Sequence, residues 1–199
     1  MPSGELRRLA SGHGLKEADL LQHLSFTFAV EGISRACSHQ LVRHRLASFS
    51  QKSQRYVEVR RLGEHVVVPK TVEERAEKTF GEFIEALGGF YDRMMESGVP
   101  TEDARFILPN ATETSLLVTM DGRALYHFFG LRCCNRAQWE IRAVADGMLS
   151  AVRALEPDLF RGAGPYCFQL GYCPEGRFTC GRMKEVAEKY RPPNEGEAL

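Results

Sequence analysis

The sequence predicts a single domain of mixed helix and strand, and three observations carry that expectation. Its 199 residues, 43% of them hydrophobic, suffice to bury one core. The stretch LSFTFAV, residues 24–30, sets Phe26, Phe28 and Val30 against Ser25, Thr27 and Ala29, the alternation of a half-buried strand. Two later segments, 71–97 and 135–155, repeat apolar residues at helical spacing.

Taken in order, a helix is expected up to about His23, then the strand, which Gly32 should end. From Ile33 a helix follows, because Ile33, Cys37, Gln40 and His44 fall within one arc at helical periodicity. Its buried stripe turns from Ile and Cys to Gln and His, so it approaches either solvent or a polar site. Ser48, Ser50 and Ser53 read as a loop, and Tyr56 to Val59 as a short strand. Thr71, with Glu74 three residues on, is the expected N-cap of a long helix carrying Phe80, Phe83, Ile84, Leu87 and Tyr91. Ser97-Gly98-Val99-Pro100 stops it, a second start follows at Thr101, and Pro109 breaks that segment. SLLVTM, residues 115–120, is a β-type run. Asp121 should cap a helix through about Leu131, and Asn135 another with Ile141, Val144, Met148, Val152 and Leu155 as its core stripe. Residues 157–181 are rich in Gly and Pro with three cysteines, and a short charged helix and polar tail complete the chain.

Twenty-six basic and twenty-six acidic residues cancel, so the broad field of a nonspecific nucleic-acid or membrane-surface binder is missing. Any anion must be met locally. Twenty of the cations are Arg, which suits forked recognition of phosphate or carboxylate and equally follows from a GC-rich genome. No apolar run approaches membrane-spanning length, and MPSGELRRLASGHG lacks the apolar centre of a signal peptide, so a cytoplasmic protein is expected. The six cysteines contain no CxxC pair and read as reduced thiols. Cys167, Cys173 and Cys180, with five and six residues between them and no nearby His, fit a zinc site poorly, so no metal is expected.

The densest donor cluster is RHRLASFSQKSQRY, residues 43–56, which packs four cations, His44 and three serines into fourteen positions. The chain has no GxxxxGK[ST] loop, no GxGxxG after a strand, no GxSxG elbow and no HExxH. That leaves a cradle in which guanidinium forks, hydroxyls and backbone amides hold phosphate.

The spacing is more specific than the composition. Arg43-His44-Arg45, seven residues, then Ser53, with Gln40 before and Arg55-Tyr56 after, resembles the signature of the flavin-dependent thymidylate synthases. SFTF, SRACSHQLVRHR, SGVPTEDARFILPNATET and LRCCNRAQWEI are similar to that family's segments, in its order, so the resemblance covers residues 23–182. It implies an α+β fold, a central antiparallel sheet flanked by helices, assembled as a homotetramer with active sites between subunits. It also implies methylation of dUMP to dTMP, with reduced FAD as hydride source, methylenetetrahydrofolate as one-carbon donor, NADPH as reductant and no cysteine nucleophile. The substrate and cofactors are all anionic, which accounts for the donors.

Carried over by position, dUMP would be bound by Gln40, Leu41, Val42 and Arg43 of one subunit, and by Gln51, Lys52, Ser53, Gln54, Arg55, Arg105 and Arg132 of a neighbour. Arg55 and Ser53 suit the phosphate. Arg132, at the uracil edge, would be the catalytic residue, stabilising charge as the imide proton leaves. Ser53 has no adjacent base and is assigned to binding. FAD would lie along Arg43, His44, Arg45 and Gln51, then Asp121, Gly122, Arg123 and His127 from other subunits, with Arg136 a further candidate. Asp121-Gly122 departs from the family's pattern of Asn and a small residue, and Asp121 reads equally as an N-cap. Residues 1–22 also depart: the family carries an added strand and helix and then GHxSxxEH, whereas this chain reads SGHGLKEADLLQHLSFTF, with Gln22 at the Glu position and His13 not the family's first His. Glu102 and Arg105 take a site role by family position over a plain exposed pair. Gln138 and Trp139 read as helix start and core. The alternative function is a noncatalytic nucleotide- or RNA-binding module that keeps the arginine cradle.

Overall fold

Strand propensity and period-two burial coincide in SLLVTM, and a strand over Glu113–Asp121 (β3) results, with Thr114, Leu116, Val118 and Met120 buried. In the computed structural model, which describes residues 3–192, β3 is the middle of a three-stranded sheet. β1, Ser25–Ser34, flanks it on one side and β2, Ser48–Gln51, on the other. β1 and β3 run antiparallel: the Thr27 and Thr119 hydroxyls meet at 2.9 Å, while farther along β1 Arg35 N–H donates to the earlier Thr112 carbonyl.

The helices are α1 (Ser3–Gly12), α2 (Glu17–Leu20), α3 (Arg35–Leu41), α4 (Lys70–Glu96), α5 (Thr101–Ala104), α6 (Gly122–Arg132), α7 (Trp139–Leu155), α8 (Pro157–Phe160), α9 (Tyr166–Leu170) and α10 (Met183–Tyr190). The chain gathers into two compact units, one holding residues up to 28, 44–48 and from 118 onward, the other 29–43 and 49–117.

The first unit is built on α6 and α7. Phe128, Phe129, Phe160, Ile141 and Val152 are fully buried. Phe160 meets Phe26 edge-on at 5.3 Å and stacks on Tyr126 at 5.6 Å, aromatic contacts that add to their area burial. Arg153 pins the segment beyond α7, its guanidinium donating to the carbonyls of Phe160, Ala163 and Tyr190 at 3.2, 2.6 and 2.8 Å. Asp121 caps α6, Oδ1 accepting the Ala124 N–H at 2.7 Å. Gly122 opens that helix against Leu21, so closely that a Cβ would stand 2.8 Å from the Leu21 carbonyl oxygen. Gly122→Ala should therefore lower stability by about 1–3 kcal/mol in urea denaturation. Gly63→Ala, whose Cβ would meet nothing within 4 Å, is the control.

The second unit packs Val59, Leu62 and Ile84 with Val66, Phe80, Leu87 and Leu108. The fully buried Tyr91 of α4 accepts the Val59 N–H at 3.3 Å through its hydroxyl. α4 is not uniform: Ala76 has non-helical φ −149° and ψ 21°.

Several local expectations change. Gly32 does not end β1; it takes φ 65°, which a residue without Cβ adopts at no steric cost, and the strand continues to Ser34. Ile33 therefore belongs to β1, the helix starts at Arg35 with Ser34 Oγ accepting the Cys37 N–H at 3.0 Å, and His44 lies past its end. Ser48 and Ser50 lie in a strand rather than a loop, because β2 pairs with β3. Tyr56–Val59 forms no strand. α4 starts at Lys70 after Pro69, whose locked φ of −64° suits the entry, so Thr71 lies inside the helix and is not its cap. Asn135 caps nothing; residues 133–137 form turns and bends, and Gln138 Oε1 caps α7 by accepting the Glu140 and Ile141 N–H groups.

Candidate active site

In the second unit, α3, the loop after β2 and the turn after α5 bring Arg35, His39, Gln54 and Arg105 to one open cavity of about 260 Å³, with Phe106, Leu108, Pro109 and Asn110. The Arg35 guanidinium has its pKa lowered by burial and by the like charge of Arg105. Two cations held in one cavity favour an anion between them. Gln54 Nε2 is buried without a hydrogen-bond partner, a donor pre-set for a ligand acceptor. Arg35 and His39 are site residues that spacing alone did not single out; both stand inside the quoted SRACSHQLVRHR segment, which was the available signal.

The neighbouring side chains are partly spent. Arg55 donates through Nε and Nη2 to Glu102 Oε2 at 3.0 and 2.8 Å, so its guanidinium already has an anion. Glu102 thereby pairs with Arg55, while Arg105 Nε donates to the Glu102 backbone carbonyl at 3.0 Å. Ser53 Oγ accepts the Arg55 N–H at 3.2 Å, and Gln51 Nε2 donates to Thr114 Oγ1 at 3.2 Å. Lys52 is exposed. On α3, Gln40 Nε2 donates to the Ala36 carbonyl at 3.4 Å and Leu41 is fully buried, so Leu41 has only its backbone to offer. Val42 and Arg43 beyond the helix are exposed.

In the first unit, Arg132 at the end of α6 donates from Nε to His44 Nε2 at 2.9 Å. The acceptor nitrogen must carry a lone pair, so His44 is neutral with its proton on Nδ1. Its pKa is lowered to about 4 by burial, by the Arg132 charge and by His127. The unfolded chain takes up this proton near pH 6.5 and the folded chain only near 4, so His44 withdraws stability as pH falls through that window. His44→Gln should flatten the fall in Tm of the ligand-free protein between those pH values; an unchanged slope would contradict the assignment. His127 Nδ1 lies 2.6 Å from the Tyr166 hydroxyl, which leaves Nε2 for a ligand. Tyr166 went unnoticed in the sequence because only packing against Gly130, where a Cβ would stand 2.6 Å from the ring, brings it to α6. Arg45, Arg123 and Arg136 are exposed, Gly122 is buried and Asp121 is occupied as a cap.

The guanidinium and amide donors of the second unit's cavity and, separately, the guanidinium and imidazole donors at the end of α6 suit anionic ligands. Residues 5–158 match the family model described as thymidylate synthase complementing protein. The chain is 54% identical over 179 residues to a flavin-dependent thymidylate synthase of Geobacter sulfurreducens, covering 89% of this chain and 77% of that one. It is 50% identical over 200 residues to one from Nitratidesulfovibrio vulgaris, covering 90% and 80%. Among solved structures, thymidylate synthase X from Helicobacter pylori with FAD and dUMP superposes with a TM-score of 0.62 at 27% identity, over 72% of this chain and 74% of that one. A UMP/dUMP methylase, PolB from Streptomyces cacaoi, bound with 5-Br dUMP, gives 0.63 at 26% identity over 79% and 77%. The chain belongs to the flavin-dependent thymidylate synthase family.

Proposed function

We propose that this chain methylates dUMP to dTMP, using methylenetetrahydrofolate as one-carbon donor and NADPH as reductant, as one functional domain over residues 1–199 working in the cytoplasm. The observation that carries the reading is the paired Arg35 and Arg105 guanidiniums with the unpartnered Gln54 Nε2, a donor set matched to a nucleotide phosphate. FAD, when bound and reduced, supplies the hydride. The donors present suit so anionic a cofactor: His44 and His127 in the first unit, with Arg43, Arg45, Arg123 and Gln51, and Gly122 and Asp121 through their backbone. Arg132 stabilises the uracil oxygen as the imide proton departs. His44, neutral, holds the guanidinium in place by accepting its Nε–H. Gln40, Leu41, Val42, Lys52, Ser53 and Arg55 complete the nucleotide's surroundings.

The assembly we propose is a homotetramer with active sites between subunits. Large exposed apolar side chains support it: Phe83 and Phe90 on α4, Phe106, and Leu46. Among the described residues no helix is long and apolar enough to cross a membrane.

Titration with FAD, followed by flavin fluorescence quenching, should give about one FAD per chain, with light scattering reporting the tetramer and dTMP formation confirming turnover. A protein that binds dUMP but neither quenches flavin nor forms dTMP would be the noncatalytic nucleotide-binding module instead.

A further inference from the structure

Along one side of α4 the second unit carries an open cavity of about 460 Å³, whose described walls include none of the nucleotide or flavin residues above. Its floor is apolar, Phe80 and Ile84 of α4 packing with Leu62 and Val66 from the segment before the helix. Its flanks are acidic, with Glu73, Glu77, Glu85 and Asp92 contributed by α4. Arg61, the cation in the walls, is already matched by Glu64 at 3.0 Å. Among the described residues the ion pairs of α4, Lys70–Glu74 and Lys78–Glu82, leave the four flanking carboxylates out. Asp92 Oδ1 is buried without a hydrogen-bond partner, and the Arg60 guanidinium, which feels the Asp92 charge, donates instead to Glu58 at 2.7 Å. An acceptor so placed favours a cation from outside.

Two glycines of α4 in these walls differ in cause. Gly88 is explained from within, since a Cβ there would stand 3.3 Å from Leu62 Cβ. Gly81 is not: a Cβ would meet nothing within 4 Å, and glycine weakens a helix interior. It leaves a notch between Glu77 and Glu85, four residues from each and on the same helix face. Along the axis Glu77 and Glu85 lie about 12 Å apart, and Glu85 and Asp92 about 10 Å. These intervals are about two helical turns, so a second helix laid along α4 sets one cation every two turns against these carboxylates and its apolar side chains over the floor between them. A compact cation meets one carboxylate; a helix meets all three.

We propose that this groove binds a basic amphipathic helix of a partner protein, with apolar side chains over Phe80, Gly81 and Ile84 and lysines or arginines against Glu77, Glu85 and Asp92. A second copy docked groove to groove would set the acidic row against itself, which like charges oppose. The exposed Phe83 and Phe90, offered above to other subunits, lie outside the groove's described walls.

The test uses the full chain and a labelled synthetic peptide of about eighteen residues, with leucines on one helical face and lysines flanking them, followed by fluorescence anisotropy. Saturable micromolar binding is expected, weakened by about tenfold as salt rises from about 50 to about 300 mM, and lost when glutamate replaces every lysine. Glu77→Lys combined with Glu85→Lys, both exposed positions, should weaken binding at least tenfold. Gly81→Leu, which fills the notch while supplying a better helix former, should weaken it as much with Tm unchanged or raised. On the wild-type chain a benzophenone in place of a central leucine should crosslink within residues 61–92, a readout that needs no variant to fold. Absence of saturable binding, equal binding of a scrambled peptide of the same composition, full binding by the Gly81→Leu chain, or crosslinks elsewhere would each overturn the proposal. So would light scattering in which the double charge reversal dissolves an assembly of the wild-type chain, since the groove would then belong to a second copy.

Discussion

Arg132→Ala should abolish dTMP formation, lowering kcat by about a hundredfold or more, while FAD remains bound. The size follows from removing a preorganised charge aimed at a developing anion, a loss of about 3 kcal/mol or more in the barrier. In the structure the Arg132 Nε–H is directed onto His44 at 2.9 Å, which fixes the guanidinium before any ligand arrives. The same contact supplies a second readout. His44 is held near pKa 4 by burial first and the Arg132 charge second, so the substitution should raise the His44 pKa toward its ordinary value in an NMR titration. Near-normal turnover at saturating dUMP would reject the catalytic role, whereas an unmoved His44 would reject only the coupling.

Arg35→Gln and Arg105→Gln should each raise the KM for dUMP about thirtyfold, equivalent to about 2 kcal/mol for a charge-assisted bond to phosphate. The effect on kcat should be smaller, since phosphate contacts hold ground state and transition state alike. Arg55→Gln should cost less, because its guanidinium is already matched by Glu102 at 2.8 Å and is half exposed. The ranking is the informative result: a larger KM effect at Arg55 than at Arg35 would mean that ligand binding breaks the Glu102 pair and that Arg55 takes the phosphate.

The contrast between Arg55 and Arg35 shows how much of the site was legible. Composition and spacing drew attention to residues 43–56 as a donor cluster, and several of its members line or border the two sites. What they could not reveal was which donors are spent. Arg55 meets its carboxylate across 47 residues of chain, and Arg132 meets His44 across 88. Gln54, assigned to dUMP in the sequence by resemblance alone, acquires a physical reason from its buried Nε2, which lacks a partner. Tyr166, which meets His127 across 39 residues, was equally silent.

By itself the sequence determined the elements whose signals are local and strong: the alternation that makes β1 and β3, the apolar stripes of α4 and α7, and the Asp121 cap of α6. It also carried the ordered motifs that mark the family. Only the tertiary structure decided where β1 gives way to α3, which residue starts α7 and which guanidiniums already have a partner. The physical reason is that periodicity records which face of an element is buried, whereas hydrogen-bond and ligand partners depend on segments distant in the chain that meet only when the core closes.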